Sequence, residues 1–407
     1  MTNYEKKAIN FIDDNKFIFL GIAVTILAVS IRLCGLDTIS RDAATFLLPW
    51  FKEIKHQGGL LSLGKQVGDY NIPYQTIIAI MTYLPFKPLY MYKVVSICFD
   101  FALAISSGLL VLEMKQKKSL KLFVFAYSAV LMLPTVIWNS AYWGQCDSIF
   151  VTFTVLAVLF LHKDKFIISF IFLGLAFSFK LQTIFVVPFY IYVYLIKKNY
   201  SIFNFLITPV VMYIMCIPGL VFGRNFTAPF EIYGSQTDTY HNMQMNFMNI
   251  WAIIGGNRYD ILKDFASMLT IFALGIGLVW LMSKKIDLDK KDLFLTILIW
   301  TIWTCVMFLP SMHDRYGYML DILLVISVFK NKKIVFFAAI SVVASMLVYS
   351  PVIFGNRLDP FNINISIWYL GAYLFYTYKL IKDVDSVDYN YRLENESYKS
   401  DFQAKAK

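Results

Sequence analysis

The chain has 407 residues, of which 58% are hydrophobic and 16% charged, and its formal net charge is +10 at pH 7. Soluble domains carry about 25% charged residues, so this composition excludes a soluble multidomain protein. The basic residues fall in short clusters between apolar runs, which is typical of membrane loops and not of a nucleic-acid-binding face. We therefore expect an all-α polytopic membrane protein that contacts lipids and no nucleic acid.

Twelve apolar segments are candidates for crossing a bilayer, which takes about 20 residues. The first follows the acidic residues Asp13 and Asp14 and lacks a small-residue cleavage site, so we interpret it as a span and not as a signal peptide. Residues 74–86 are apolar but short, and we do not count them. The twelve candidate spans are residues 17–36, 92–112, 120–138, 147–161, 165–180, 181–196, 202–222, 262–283, 292–310, 316–329, 333–354 and 363–381.

The distribution of Lys and Arg predicts the orientation of these spans. If residues 74–86 do not cross, the basic loops all fall on the side of the N-terminal "NYEKK": they read "EMKQKKSLK", "HKDK", "KKN", "SKKIDLDKKD" and "KNKK". An extra crossing would break this alternation. The positive-inside rule therefore favours two cytoplasmic termini, with long external loops at residues 37–91 and 223–261.

The same reading divides the chain into two parts. Residues 1–382 form an integral-membrane domain, in which residues 74–86 skim the membrane within the first external loop. Residues 383–407 are polar and of mixed charge, so we expect a cytoplasmic tail that is disordered or lies on the surface.

The five cysteines do not predict a metal site, because none has C-x-x-C spacing and four lie in or at the end of apolar runs. Cys34 and Cys146 both fall near the predicted outer face, where a disulfide between them is an alternative to two free thiols. We expect no cofactor. A divalent metal is compatible with the chemistry below but has no support in the sequence.

Asp42 heads the stretch "SRDAATFLLPWF" at the start of the first external loop. The residues after it predict an amphipathic helix over 43–54, which we expect to lie in the membrane interface and to hold Asp42 at its surface. The apolar stripe of this helix consists of Leu47, Trp50, Phe51 and Ile54.

Other polar residues collect on the same predicted side. Lys180, in "FSFKLQT", comes where two spans meet with almost no loop, although snorkelling to the headgroups is a simpler interpretation. His313, Asp314 and Arg315 lie together in "PSMHDRYGY". A guanidinium binds phosphate through two hydrogen bonds, and His can donate beside it. We interpret this triplet as an anion site.

Three charged residues inside the spans receive structural interpretations. Arg32 neutralises a charge near the outer end of the first span, and Asp100 contributes to helix–helix contact or to a polar network. Asp321 pairs between helices. Ionisable groups at this depth are costly unless they are paired.

An external carboxylate near cationic residues and an apolar surface suits chemistry on a lipid phosphate. In glycosyl transfer by direct displacement, a base takes the proton of the acceptor hydroxyl while the phosphate leaves. One carboxylate suffices for a single inverting displacement. We assign the base to Asp42 and the donor phosphate to Lys180, His313 and Arg315, whose charges would stabilise the leaving group.

Together these motifs resemble the GT-C superfamily of polytopic glycosyltransferases, closest to the branch that uses polyprenyl-phosphate sugars (ALG-type glucosyltransferases and GPI-anchor mannosyltransferases). In that branch the first external loop opens with a short acidic motif whose Asp is the proposed base, and Asp42 occupies this place. The resemblance runs from Asp42 to Tyr316 in the family order. It departs where "GDYNIPYQ" lacks the double Pro and in the small number of spans.

The resemblance also implies substrate-binding or supporting residues in five further motifs. They are Asp69 and Tyr70 in "GDYNIPYQ", Trp143, Gln145 and Asp147 in "YWGQCDS", Gln182 in "SFKLQT", Asn249 and Trp251 in "MNFMNIWAII", and Asp314 in "MHDRY".

The expected function is transfer of one sugar from a polyprenyl-phosphate donor to a hydroxyl of a cell-envelope glycan or lipid-linked acceptor on the external face. The short loops and the lack of a eukaryotic retention tail favour a bacterial plasma membrane, where the product would belong to the cell wall or to another polysaccharide. Two alternatives remain open, a lipid-linked glycan flippase or other transporter and a glycan polymerase or ligase.

Overall fold

The structure is a computed structural model, and it describes residues 1–355 and 362–405. This part of the chain is almost wholly helical. Its first helices are α1 (Asn3–Cys34), α2 (Leu48–His56), α3 (Ile72–Met81), α4 (Pro88–Met114), α5 (Leu120–Leu131), α6 (Pro134–Ile137), α7 (Asp147–His162), α8 (Phe166–Phe179) and α9 (Val187–Lys197).

The second half adds shorter helices, one pair of strands and four long helices. In chain order these are α10 (Ile207–Met215), α11 (Ile217–Val221), α12 (Ala228–Asp238), β1 (Gln244–Met245), α13 (Ile250–Ile254), α14 (Tyr259–Met282), α15 (Leu293–Phe308), β2 (Met312–His313), α16 (Tyr318–Lys330), α17 (Val335–Phe354) and α18 (Asn362–Lys405).

The chain divides into two compact units. Unit 1 contains residues 1–183 and 203–237 together with the end of α17 from Ser350. Unit 2 contains residues 184–202 and 238–349 together with α18. The division separates two groups of predicted site residues, because the Asp42 region lies in unit 1 and the His313 triplet in unit 2.

The all-α membrane class is confirmed by the helices themselves. Among the described residues, five helices are long and apolar enough to span a bilayer, or six if the bent pair formed by α5 and residues 134–143 counts as one span. Each of the twelve predicted segments falls on a helix or on a run of consecutive helices. The shorter helices, such as α7 and α8, fall below the length that a straight crossing needs.

Proline starts several of these helices and bends the chain beside the site. Pro88 opens α4 and Pro134 opens α6, since the first turn of a helix tolerates the missing N–H. The chain turns by 53° between α5 and residues 134–143. Residues 138–143 continue α6 as a π-helix, and this short segment carries Trp143.

The predicted amphipathic helix exists, but protein rather than lipid covers its apolar stripe. Residues 43–47 form a π-helix that continues into α2. Leu47, Phe51 and Ile54 are buried at 2%, 4% and 0% exposure. The Phe51 ring packs on Tyr92 of α4, with 6.5 Å between ring centroids. Protein therefore covers three of the four stripe side chains, while Trp50 is half-buried.

Arg32 and Asp100 form a buried ion pair between α1 and α4. The Arg32 Nε donates to Asp100 Oδ2 over 2.8 Å, and the two side chains are 1% and 0% exposed. Arg32 also donates to the carbonyl of Leu131, and Ser140 donates to Asp100. The neutralising role predicted for Arg32 and the network role predicted for Asp100 are both confirmed.

Two further predictions concern residues of unit 2. Ser341 of α17 donates to the Asp321 carboxylate of α16 over 2.5 Å, which confirms the interhelical pairing. Beyond residue 382 the chain continues as part of α18, which extends to Lys405. Val384 and Val387 are buried on this helix, whereas Tyr389 and Leu393 are exposed. In unit 1, Cys34 and Cys146 are both free thiols.

We predict that Asp100→Leu destabilises the protein by about 3–5 kcal/mol, because it leaves the Arg32 guanidinium buried without its carboxylate. Thermal unfolding in detergent measures the effect. The double variant Arg32→Met/Asp100→Leu should recover most of the loss.

The matched control lies on α1 as well. Lys16 pairs with Asp13 over 2.8 Å, but both side chains are more than half exposed, and exposed pairs contribute little. Lys16→Met should leave the melting temperature unchanged. If Asp100→Leu behaved in the same way, the buried pair would not stabilise the fold.

Candidate active site

Two buried polar residues fix the backbone that leads to Asp42. The Lys93 ammonium of α4 donates to the carbonyls of Gly35 and Thr38 at 2.7 and 2.6 Å, which secures the segment that follows α1. The Ser40 hydroxyl donates to the Trp143 carbonyl at 2.7 Å and accepts from the Ala43 N–H at 3.1 Å. The start of the Asp42 helix is thereby attached to the segment that carries Trp143.

The Asp42 carboxylate accepts hydrogen bonds from two side chains of "YWGQCDS". Trp143 donates its indole N–H to Oδ2 over 2.9 Å, and Gln145 donates its amide N–H to the same oxygen over 2.8 Å. Asp42 itself is half-buried. Two neutral donors from one short segment therefore set the orientation of this carboxylate.

A turn at Gly144 makes this arrangement possible. Gly144 ends the π-helix with φ +83°, a left-handed conformation that glycine adopts without strain. The Gln145 N–H then donates to the carbonyl of Asn139 over 2.9 Å. Two residues later Asp147 begins α7, so a single tight turn supplies Trp143, Gln145 and Asp147.

Lys180 lies where α8 ends and forms an ion pair with Asp147. Both side chains are almost fully buried, at 6% and 4% exposure. The Asn139 amide donates to the second carboxylate oxygen of Asp147 over 2.7 Å. A charge this deep needs a partner, and the pair joins the end of α8 to the start of α7.

Tyr70 connects the carboxylate of Asp42 to the buried ion pair. Its hydroxyl donates to Gln145 Oε1 over 2.9 Å, and the Lys180 ammonium lies 5.5 Å from the centroid of its ring. The result is one continuous set of contacts, which we call the Asp42 network. Its members are Asp42, Tyr70, Trp143, Gln145, Asp147 and Lys180.

Trp50 and Gly68 hold the Tyr70 loop in place. Gly68 has φ +72°, and a Cβ there would lie 2.5 Å from the Trp50 ring. The Trp50 ring meets Tyr70 edge to face, with centroids 5.7 Å apart. The Gln66 amide donates to the carbonyls of Gly68 and Tyr70 at 2.7 and 2.8 Å. Gln66 therefore holds the backbone of Tyr70, and Trp50 packs against its ring.

Asp69 and Gln182 lie beside members of the network. The Asp69 side chain is exposed, although partial desolvation raises the pKa of its carboxyl. Its backbone carbonyl accepts from the Gln236 amide. Gln182 is half-buried in the short helix that follows Lys180.

In unit 2, the strand pair connects the His313 triplet to the segment that precedes α13. Gln244 pairs with Met312 and Met245 with His313, in parallel. The Asp314 N–H donates to the Met245 carbonyl over 3.0 Å. These main-chain bonds place the triplet against residues more than 60 positions earlier in the sequence.

In the triplet, the His313 ring packs among tyrosine rings and Arg315 lies near the Asp314 carboxylate. The His313 ring lies 4.9 Å from the Tyr240 ring and 5.2 Å from the Tyr316 ring, centroid to centroid. Asp314 is buried, and its carboxylate accepts the Arg315 N–H over 2.9 Å. The Arg315 guanidinium lies 4.0 Å from the same carboxylate.

Asn249 and Trp251 hold the segment around α13 to the end of α15. The buried Asn249 caps α13 by accepting the N–H groups of Trp251 and Ala252. Trp251 donates its indole N–H to the Phe308 carbonyl over 2.8 Å. Both residues therefore have a structural role in holding this segment.

Sequence reasoning missed several residues that build the site. Lys93 and Ser40 were not singled out, although a lone lysine in an apolar run is a signal of a buried polar contact. Asn139 was not singled out either, yet its amide donates to Asp147. Among the described residues, no cluster of His, Cys, Asp and Glu could hold a metal ion.

Comparison with known protein families identifies the enzyme family of this chain. Residues 70–311, more than half of the chain, match the family model of glycosyltransferase family 87. The chain therefore belongs to this family of polytopic, GT-C-like glycosyltransferases, which confirms the resemblance. No curated protein matches the sequence.

The matched region contains most of the network but not Asp42. Trp143 and Gln145 lie inside the match, and their side chains are the ones that bind the Asp42 carboxylate. These hydrogen bonds connect a residue outside the matched region to residues within it.

We predict that Gly68→Ala lowers transferase activity at least tenfold, because the added methyl group must displace either the Trp50 ring or the Tyr70 loop. The measurement is sugar transfer by purified protein, with melting temperature recorded in parallel. The matched control is Gly223→Ala, since Gly223 also has positive φ (+101°) but open space around its Cβ position.

Both variants share the backbone strain, which costs on the order of 1 kcal/mol, and only Gly68→Ala adds the clash. Equal activity of the two variants would contradict the role of Gly68 in placing Tyr70.

Proposed function

We propose that this member of glycosyltransferase family 87 transfers one sugar from a polyprenyl-phosphate donor to an acceptor hydroxyl, with inversion at the sugar carbon and with Asp42 as general base. The acceptor would be a cell-envelope glycan or a lipid-linked glycan on the external face. The observation that carries this proposal is the pair of hydrogen bonds from Trp143 and Gln145 to Asp42 Oδ2.

The reaction needs one proton acceptor. The acceptor oxygen forms a bond to the anomeric carbon while the bond from that carbon to the phosphate oxygen breaks, and the bonding electrons leave with the phosphate. The acceptor proton passes to the Asp42 carboxylate. Because Trp143 and Gln145 fix the carboxylate before substrate binds, little reorganisation is needed when the proton moves.

Lys180 is our candidate for the donor phosphate within unit 1. An ammonium group has three N–H donors, so its ion pair with Asp147 does not exhaust its capacity to bind a phosphate oxygen. Its burial adds to this role, since charges interact more strongly where water is excluded.

His313 and Arg315 are our candidates for phosphate binding within unit 2. A planar guanidinium beside an imidazole suits phosphate oxygens. Main-chain pairing to Gln244 and Met245 holds the triplet in place, so these side chains would be positioned before the donor arrives.

We further propose twelve crossings with both termini cytoplasmic, in the plasma membrane of a bacterium. The helices on all twelve predicted segments and the basic loops on one side support this topology. The flippase alternative loses ground because the family is one of glycosyltransferases. A flippase would move a lipid-linked sugar without forming a glycosidic bond.

Asp42→Asn should lower kcat for sugar transfer by at least about 100-fold, the usual contribution of a general base. The asparagine oxygen still accepts the bonds from Trp143 and Gln145, so stability and donor binding should change little. The assay uses purified protein, polyprenyl-phosphate sugars and candidate acceptors.

The control for this variant is Glu53→Gln, which neutralises an exposed carboxylate of the same external loop and should retain full activity. Unchanged transfer by Asp42→Asn would sink the base assignment and leave the family membership intact.

Arg315→Ala should raise the KM for the donor by roughly 10- to 100-fold, which corresponds to the loss of a charged hydrogen bond. The value of kcat should fall less. Arg258→Ala is the control, because Arg258 is an exposed arginine of the same unit. A donor KM that stays at the wild-type value in Arg315→Ala would refute the phosphate role of the triplet.

A further inference from the structure

A cavity of about 370 Å³ lies in unit 2, where the end of α9, the end of α14 and α18 come together. Three of the residues around it are Lys198, Lys284 and Lys285. Most of the others are apolar, Leu281 and Ile286 among them. The cavity therefore combines positive charge with an apolar wall. Its lysines belong to loops that the charge pattern predicts to be cytoplasmic. The predicted site residues lie on the opposite predicted side.

Acidic side chains nearby neutralise only part of this charge. Lys284 binds Asp385 over 2.7 Å and lies 4.0 Å from Asp388. Arg392 also binds Asp388, over 3.0 Å. Each carboxylate thus already has a cation of its own.

The other two lysines make different contacts. Lys285 uses its backbone N–H to bind Asp388, and its ammonium lies 5.9 Å from the Tyr391 ring centroid. Within the described side chains, neither Lys198 nor Lys285 forms an ion pair with a carboxylate. Both side chains are exposed, so the cavity presents two uncompensated ammonium groups.

We propose that this cavity binds the phosphate-bearing headgroup of an anionic phospholipid, with Lys198 and Lys285 contacting the phosphate. The proposal goes beyond sugar transfer, since it concerns a second lipid that is neither donor nor acceptor. Basic pockets between membrane helices are suited to such headgroups, and each lysine near the surface contributes measurably.

The surface of α14 favours a lipid over a soluble phosphate. The apolar segment of this helix is only 22% buried, and Val279 and Met282 at its end are 69% and 49% exposed. Met282 also lines the cavity. An acyl chain can therefore run along the exposed face of α14 while the headgroup fills the cavity. A soluble anion would gain no binding energy from contact with that apolar face.

The test measures lipid binding to the full-length protein in a neutral detergent. Short-chain phosphatidylglycerol and phosphatidylcholine with identical acyl chains are titrated, and binding is followed by native mass spectrometry. We expect phosphatidylglycerol to bind more tightly. The variant Lys198→Gln/Lys285→Gln should weaken its binding about 30-fold, from roughly fivefold for each lysine. Lys198→Arg/Lys285→Arg should retain it.

The control is Lys332→Gln/Lys333→Gln, which removes two exposed lysines of the same unit and predicted side and should leave binding unchanged. Equal affinity for the two lipids, or no loss in the Lys198/Lys285 glutamine variant, would overturn the proposal. Inorganic phosphate serves as the third ligand. If it bound alone with the affinity of the lipid and competed with it, the site would be one for a soluble anion and the lipid assignment would be wrong.

Discussion

The site depends on one ion pair between two helices that the fold buries almost completely. Lys180 and Asp147 are almost fully buried, and removing one member of such a pair leaves an uncompensated charge that costs about 3–5 kcal/mol. The end of α8 is therefore held at the start of α7. The turn before α7 carries Gln145 and Trp143, and through their hydrogen bonds the position of α7 determines how the Asp42 carboxylate is oriented.

Hydropathy predicted most of the fold, because a bilayer restricts a spanning chain to a few structures. All twelve apolar segments are helical, and the costs of buried charge led correctly to pairing for Arg32 and Asp321. The motif residues of the Asp42 network were also identified from the sequence. Asp42 and Lys180 stand out as charged residues in an apolar chain, whereas Tyr70, Trp143, Gln145 and Asp147 followed only from the resemblance to the GT-C superfamily.

The contacts of those residues could not be predicted, since they depend on tertiary placement. The meeting of Trp143 with Asp42 requires the bend after α5 and the left-handed turn at Gly144. The neighbour of the apolar stripe on the Asp42 helix could not be predicted either. An amphipathic pattern shows that one face is apolar but not whether lipid or Tyr92 packs against Phe51. The helical extension of α18 beyond residue 382 was not predicted, because the composition there is polar and of mixed charge.

The most direct test of the central claim is an experimental structure of the protein with an unreactive polyprenyl-phosphate sugar analogue and an acceptor glycan. The account predicts that the acceptor hydroxyl lies within about 2.6–3.2 Å of an Asp42 carboxylate oxygen, with Trp143 and Gln145 still bound to that carboxylate. An acceptor hydroxyl that contacts Asp69 or another carboxylate, with Asp42 remote from the anomeric carbon, would contradict it.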